Sequence, residues 1–356
     1  MKRVGWIDIA RAIGMLMIIM GHSLYVYTYS PVAKIIFAVH VPIFFVLSGY
    51  LFREKNFKDQ FRNLAKNLLL PYLFTAFLIV GISGFSKKIS TFFILKSITS
   101  VKQTMIAAMY GIGSPGQWGE TPIPAIGVIW FLLALFVAEI IFNISVKVSK
   151  KFVRFKFSFL ILISFILCTM GFEVAKYVTL PWSISAALVA QLFLCFGYIL
   201  KEKNMLDRRT SVVFLFSLLF WGLSAKSGFF YLNVPIAANP VLAILGGMGG
   251  SIVIIDISRL IDKMFKKINL IKKFGKYSLI VMCVHVVDLS VLNLGNRIFE
   301  ISQSNGAVIA IVFVVIYRVL ITYLSIIFIP YIPLVRSVYM NRKYPINITH
   351  MHTSKH

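Results

Sequence analysis

The sequence has few acidic residues, few cysteines and few charged residues of any kind. Only 14% of its 356 residues are charged, and 59% are hydrophobic. Soluble domains carry about a quarter charged residues, and they do not contain repeated apolar runs of the length that crosses a ~30 Å hydrocarbon layer. These shortages exclude a large soluble domain. The sequence therefore predicts an integral membrane protein.

Three cysteines are too few and too scattered to form a disulfide framework. Cys168, Cys195 and Cys283 each lie inside an apolar run, and none belongs to a Cys-x-x-Cys pair or to a zinc-binding spacing. We therefore expect no metal site, and we interpret all three as packing residues within the membrane.

Ten apolar segments are bounded by charged residues, glycine or proline, and each is long enough or nearly long enough to cross a bilayer. They predict an all-α, polytopic membrane protein of about ten transmembrane helices. The segments are 6–28, 33–52, 66–86, 125–146, 156–172, 182–200, 211–227, 236–257, 276–294 and 306–329.

The basic residues lie mostly on one side of this predicted bundle. Of 37 Lys and Arg, 27 fall in alternate loops and tails that include both termini, eight fall on the opposite side, and Arg11 and Arg318 lie within spans. Cytoplasmic loops retain positive charge, so both termini are predicted in the cytoplasm. Residues 1–335 then form the membrane domain and 336–356 a basic cytoplasmic tail. The charge excess is a topology signal, and we expect no nucleic-acid partner.

The first span contains three ionisable residues, which are costly in lipid and usually face a bundle interior or a water-filled cavity. Arg11 and His22 are eleven residues apart, which on an α-helix is three turns plus roughly 20° and a rise of about 16 Å. They are predicted to share one face, with Arg11 near the cytoplasmic mouth. Asp8 lies one turn before Arg11, where it can orient the guanidinium. The alternative is that Arg11 extends to the lipid headgroups and His22 bonds a neighbouring helix.

Further polar and aromatic residues are candidates for lining the same cavity. His40 is predicted close to the depth of His22, just before Pro42, which lacks an N–H and can kink the second span; an ordinary hydrogen bond is the alternative for His40. Trp130 begins the fourth span, where an interfacial aromatic belt would also place it. Glu120 lies in the Gly- and Pro-rich half of the outer loop 87–124, which is a candidate sugar-facing lid or a plain connector.

The ninth and tenth spans carry another polar group. His285 and Asp288 are one helical turn apart in the ninth span. At 1.5 Å of rise per residue from the ends of the two spans, Arg318 of the tenth span lies at a similar depth in the membrane. We expect Asp288 and Arg318 to pair across adjacent helices in a structural role. Reversing both charges should then restore activity or expression that is lost on reversing either one.

Taken together, these features resemble the ten-helix acyltransferase-3 membrane proteins, and among them the fucose 4-O-acetylase-like branch. The resemblance covers about residues 5–330, and an arginine and a histidine separated by ten intervening residues in the first helix are its signature, which Arg11 and His22 match. The motifs that carry it are Ile7 to Leu16, Gly21-His22, His40 to Tyr50, Trp130-Phe131-Leu132, and Gly275 to Leu279 leading to His285.

The resemblance implies transfer of an acyl group, usually acetyl, from cytoplasmic acyl-CoA to a sugar hydroxyl across the membrane. Arg11 is then expected to bind acyl-CoA or gate the channel, and His22 to act as general base or to carry the acyl group itself. Acetyl-CoA is a donor substrate, and no permanently bound cofactor is expected. Some relatives carry an extra extracytoplasmic hydrolase-like domain, which we do not expect in this chain.

The sequence therefore predicts an O-acyltransferase of the bacterial plasma membrane that modifies a surface or secreted polysaccharide or its lipid-linked precursor. It acylates its acceptor directly or through a separate extracytoplasmic partner. The alternative is a transporter or flippase of a polysaccharide precursor. That class is often built from internal repeats with paired broken helices, which the sequence does not show. An inactive relative that only binds is a third reading, and the intact Arg11 and His22 pair disfavours it.

Overall fold

The protein is almost entirely helical in the computed structural model, which describes residues 4–85, 100–208, 210–265 and 267–345. The helices are α1 Gly5–Gly21, α2 Pro31–Phe37, α3 Pro42–Leu51, α4 Phe57–Leu64, α5 Leu70–Phe85, α6 Val101–Tyr110, α7 Trp130–Lys150, α8 Lys156–Ala175, α9 Ile184–Val189, α10 Gln191–Glu202, α11 Ser211–Ser227, α12 Pro240–Met264, α13 Asn269–Lys276, α14 Ser278–Ser290, α15 Leu294–Ser302, α16 Ala307–Phe328 and α17 Pro333–Tyr339. Two short antiparallel hairpins complete the described chain: β1 Gly116–Trp118 with β2 Thr121–Ile123, and β3 Phe230–Tyr231 with β4 Ile236–Ala237.

The helices confirm an all-α, multi-pass membrane protein. Within the described residues, six helical segments are long and apolar enough to cross a membrane: Pro31–Leu51, Phe57–Gly84, Trp130–Lys150, Val153–Ala175, Pro240–Met264 and Ala307–Tyr331. The pair α9 and α10, bent by 49°, is either a broken span or a re-entrant loop, and α11 and α14 are shorter apolar helices. The first predicted segment, 6–28, contains α1. The count of ten crossings and the cytoplasmic termini stay predictions.

Several predicted spans contain breaks that an apolar run does not reveal. The first span is helical only to Gly21, after which the chain turns into a short 3₁₀ segment at Tyr25–Tyr27. The second is interrupted at residues 38–41, and α3 restarts with Pro42 as its first residue. Proline favours the first turn of a helix and disrupts an interior one. The kink predicted at Pro42 is present as an interruption of the second span, with Pro42 at the start of α3 and not inside a helix.

The first helix lies at the centre of the bundle. It packs against α2, α3, α12, α13, α14 and α16, and its buried residues cover more than one face of the helix. A helix that is buried nearly all round needs neighbours on every side. The two ends of α1 therefore define two sides of the molecule, which we call the N-terminal side, where α1 begins, and the far side, where it ends.

Glycines bring some helices into backbone contact. A Cβ atom on Gly49 of α3 would lie 2.0 Å from the Leu194 carbonyl oxygen of α10, and one on Gly197 would lie 1.9 Å from the Val46 oxygen. No side chain fits at either position, so the two helices cross with their backbones touching, as small residues allow in membrane bundles.

On the far side, loops are tied to one another by hydrogen bonds. Ser183 Oγ donates to the Gly111 carbonyl at 2.9 Å, and Asn233 Nδ2 donates to Ser114 Oγ at 2.6 Å. The segment at residues 111–124, predicted as a lid or a connector, therefore folds as a hairpin joined to neighbouring loops. The earlier part of that loop, residues 86–99, lies outside the described residues.

The three cysteines and α17 also pack into the bundle. Cys168, Cys195 and Cys283 are buried with free thiols, as the packing interpretation predicted. The predicted boundary between residues 335 and 336 falls within α17, where the Tyr339 hydroxyl lies 2.8 Å from Thr75 Oγ1 on α5. Residues 346–356 of the predicted tail lie outside the described residues.

Candidate active site

His22 lies at the far end of α1 and faces a second histidine. Its backbone N–H still donates to the Ile18 carbonyl at 3.1 Å, so the residue continues the last helical turn. The imidazole is half-buried. Its ring centroid lies 6.0 Å from that of His285 on α14 and 6.2 Å from that of Phe37 on α2. Two imidazoles from separate helices therefore meet inside the bundle.

The His285 ring is completely buried, at 0% exposure. Neither Nδ1 nor Nε2 has a hydrogen-bond partner among the described residues. Buried polar groups nearly always have a partner, and leaving one without costs roughly 1–3 kcal/mol. Such a side chain is unfavourable for stability and calls for an explanation, of which a role in binding or chemistry is one. His285 was predicted from the sequence, whereas its closeness to His22 was not.

Arg318 and Asp288 form the predicted ion pair across α16 and α14. Arg318 Nε lies 3.0 Å from Asp288 Oδ2, and the Tyr317 hydroxyl donates to Asp288 Oδ1 at 2.8 Å. Arg318 is 4% exposed and Asp288 2% exposed. A charge buried to this degree requires a partner, so the pairing expected from depth alone is confirmed.

The same guanidinium also contacts the residue that ends α1. Arg318 Nη1 donates to the His22 carbonyl oxygen at 2.7 Å and to Ser23 Oγ at 2.8 Å. Sequence reasoning missed this link, because it depends on α16 packing against the end of α1. The signal available in the sequence was Arg318 itself, one of only two basic residues inside the predicted spans.

His40 is buried and hydrogen-bonded. Its Nδ1 lies 3.0 Å from the Ile36 carbonyl, and because a carbonyl can only accept, Nδ1 carries the hydrogen. The ring centroid is 4.7 Å from that of Phe37, which in turn contacts His22. His40 is thus satisfied by its own chain segment, and one aromatic ring lies between it and His22.

Trp130 and Glu120 lie in different environments on the far side. Trp130, the first residue of α7, is buried, and a Cβ on Gly113 would lie 2.3 Å from its Cδ1 atom. The indole therefore packs directly on the backbone of the 111–124 segment. Glu120 is exposed in the turn between β1 and β2. The roles of Trp130 and Glu120 in lining a cavity stay predictions.

A cavity of about 650 Å³ opens on the N-terminal side beside α1. Asp8 lines it, whereas Arg11, one turn further along and half-buried, is not among its lining residues. The other lining residues are Gly5, Asp262, Asn269, Lys272, Lys273, Lys276 and Tyr277. Asp262 and Lys272 form an ion pair at 2.6 Å. That Asp8 orients Arg11 stays a prediction.

The lysines of this cavity were not predicted as site residues. Their signal was the seven basic residues at 259–276, which we interpreted only as topology. They approach α1 because α13 crosses it closely: a Cβ on Gly275 would lie 1.7 Å from the Asp8 carbonyl oxygen. Glycine at this crossing brings three lysines of α13 to the mouth of the first helix.

Comparison with known proteins assigns the fold to a family. The sequence profile of acyltransferase family 3, described as an acyltransferase domain, matches residues 4–329. The nodulation protein NolL of Mesorhizobium japonicum (strain LMG 29417 / CECT 9101 / MAFF 303099) is 26% identical over 196 residues, which are 52% of this chain and 47% of the relative. The chain thus spans about half the length of the curated relative it matches. No solved structure matches the chain.

The profile covers both spans that carry the paired histidines, as well as α13 and the cavity beside α1. A match over nearly the whole chain is specific, and the helical membrane fold agrees with it. The chain belongs to the acyltransferase-3 family of membrane acyltransferases.

Proposed function

We propose that this protein is an O-acyltransferase that moves an acetyl or other short acyl group from acyl-CoA to a hydroxyl of a polysaccharide or of its lipid-linked precursor. The donor binds on the N-terminal side, which the basic loops predict to be the cytoplasm, and the acceptor reaches the site from the far side. The observation that carries the proposal is the pair of imidazoles, His22 and His285, at 6.0 Å between ring centroids inside the bundle.

The lysines of the cavity beside α1 support the N-terminal side as the place of the donor. Acyl-CoA carries phosphates, and lysine and arginine are the side chains that bind them. Lys273 and Lys276 line the cavity with Asp8, and Arg11 lies one turn further along the same helix. We infer that the phosphates bind here and that the acyl end extends along α1 towards His22, about 16 Å beyond Arg11 by helical rise.

His22 can serve the reaction in two ways. As general base, it takes the proton of the acceptor hydroxyl while that oxygen attacks the thioester carbonyl; the C–S bond then breaks and CoA leaves as a thiolate that is reprotonated. As nucleophile, a ring nitrogen attacks the thioester first, which releases CoA and forms an acyl-imidazole that the acceptor hydroxyl then cleaves. His285 supplies a second imidazole for substrate binding or proton transfer in either route.

The proposal is tested with the purified protein in lipid nanodiscs, using radiolabelled acetyl-CoA and a glycan from the source membrane. Replacing His22 by alanine should lower label transfer about 100-fold or more, since general acid–base catalysis contributes typically 10²–10⁴-fold. The same replacement at His352, in the polar C-terminal tail, should leave transfer unchanged.

Omitting the glycan separates the two routes. The nucleophilic route predicts one labelled acyl group on each wild-type protein and none on the His22→Ala variant, whereas the general-base route predicts no label on either. Full glycan acylation by His22→Ala would contradict both routes. In sealed proteoliposomes, movement of a labelled glycan across the bilayer without acylation would favour a flippase.

A further inference from the structure

We propose that Arg318 is a positioning residue for His22, and that its pairing with Asp288 serves this purpose beyond stability. The proposal rests on the proposed function, because it concerns how His22 is held for acyl transfer. Arg318 does not touch the acyl donor in this account. It acts through the backbone of His22.

The end of α1 offers Arg318 an acceptor that the helix itself cannot satisfy. The last carbonyl groups of a helix lack intrahelical partners and carry partial negative charge. Arg318 Nη1 donates to the His22 carbonyl at 2.7 Å, a charge-assisted bond of the stronger kind. It also donates to Ser23 Oγ, which donates onward to the Ile19 carbonyl at 2.6 Å. The backbone at His22 is thus held by hydrogen bonds at the His22 carbonyl and at the neighbouring Ser23 side chain.

The guanidinium is itself fixed from the opposite direction. Asp288 Oδ2 accepts from Arg318 Nε at 3.0 Å, and Asp288 Oδ1 accepts from Tyr317. Asp288 lies one turn after His285 on α14. One buried network therefore connects the backbone of His22 to the helix that carries His285, and the separation of the two imidazoles depends on it.

A glycine on α15 leaves room for the guanidinium. A Cβ on Gly295 would lie 3.0 Å from Arg318 Nη2, which is closer than nearly all real Cβ contacts. Alanine at this position would push on the guanidinium without removing any hydrogen-bonding group. Gly295→Ala is therefore a mild way to displace the Arg318 side chain.

A structural role and a positioning role predict different results for exchange of the two charges. If the pair only stabilises the bundle, the double variant Asp288→Arg with Arg318→Asp restores both folded yield and activity. If Arg318 positions His22, the exchange restores folded yield at most, because a carboxylate at position 318 cannot donate to the His22 carbonyl.

The main test is Arg318→Lys in the purified full-length protein in nanodiscs. Lysine keeps the charge but carries it on one nitrogen, so it cannot reproduce bonds that leave from both Nε and Nη1. We expect kcat for acyl transfer to fall about 10- to 100-fold, because misplacement of a catalytic group by about 1 Å can cost 10²-fold. The KM for acetyl-CoA should stay within about twofold. Arg297→Lys, in an exposed pair with Glu300, is the matched control and should leave kcat unchanged.

A second readout does not need activity. In protein labelled with ¹⁵N-histidine, the ring signals of His22, assigned by comparison with His22→Ala, should shift or broaden in Arg318→Lys and in Gly295→Ala but not in Arg297→Lys. If the wild-type protein transfers no acyl group, the proposed function fails, while these spectra still test the positioning of His22.

The proposal is overturned by any of three results. These are a kcat of Arg318→Lys within about twofold of wild type, recovery of full activity by the charge exchange, or unchanged His22 signals in both Arg318→Lys and Gly295→Ala. Should Arg318→Lys fail to fold, Gly295→Ala carries the kinetic and the spectroscopic test, since it retains every hydrogen-bonding group.

Discussion

The three histidines inside the bundle differ in what their ring nitrogens contact. His40 is bonded to the Ile36 carbonyl, whereas His285 has no partner among the described residues and faces His22. A bonded buried histidine adds to stability, and an unbonded one lowers it. The His40 imidazole is therefore held within its own chain segment, whereas the proposed chemistry belongs to the imidazoles of His22 and His285.

This difference predicts opposite effects of one substitution on stability. In His285→Phe, an apolar ring of similar shape replaces an unsatisfied imidazole, so thermal stability should hold or rise while acyl transfer falls at least about tenfold. In His40→Phe, the Ile36 carbonyl loses its side-chain donor, so stability should fall by about 1 kcal/mol. Thermal unfolding in nanodiscs, run beside the transfer assay, measures both. Full activity of His285→Phe would remove His285 from the site.

Some of the residue contacts at the candidate site could be predicted from the sequence. Counting residues from the span ends was enough to pair Asp288 with Arg318, because both lie on regular helices. The contact of Arg318 with the His22 carbonyl was not accessible, since it depends on where α1 ends and how α16 packs against that end. The lysines around Asp8 were missed because a basic loop has the same composition whether it faces solvent or lines a cavity.

At the scale of elements, the helices combine long apolar spans with breaks beside the candidate site. Proline at position 42 starts α3, and the end of α1 after Gly21 frees the His22 carbonyl to accept from Arg318. Apolar runs predicted where the helices lie, since lipid requires backbone groups to be satisfied within each span. They did not predict the end of α1, because residues 22–28 contain no proline, glycine, Lys, Arg, Asp or Glu and still leave the α-helix.

The crossing of α3 and α10 gives a prediction of its own. Gly197→Ala would place a Cβ 1.9 Å from the Val46 carbonyl oxygen, so the helices must separate, and we expect a loss of about 1–3 kcal/mol, as for overpacking in a core. Gly222→Ala on α11 is the matched control, because a Cβ there meets nothing within 4 Å and alanine favours helix.

The buried thiols provide the readout for this comparison. A thiol-reactive dye should label Cys168, Cys195 and Cys283 only on unfolding, since all three are buried. The dye signal should therefore appear at a lower temperature in Gly197→Ala than in wild type, and at the same or a higher temperature in Gly222→Ala. Equal midpoints for the two variants would contradict the close crossing.

At the scale of the whole molecule, the proposed donor and acceptor ends lie at opposite ends of one helix. A cavity lined by three lysines and two aspartates flanks the start of α1, and the imidazole pair lies at the other end of this helix. We propose that a single transfer reaction joins the two sides of the membrane, and that the acyl end of the donor extends along α1 to reach the imidazole pair.

Vesicles of defined sidedness test this central claim most directly. Right-side-out membrane vesicles containing the protein are loaded with radiolabelled acetyl-CoA, and acceptor glycan is supplied outside. The account predicts that label appears on the external glycan with the wild-type protein and is lost with His22→Ala. Equal labelling by His22→Ala, or labelling only when acetyl-CoA is added outside, would contradict it.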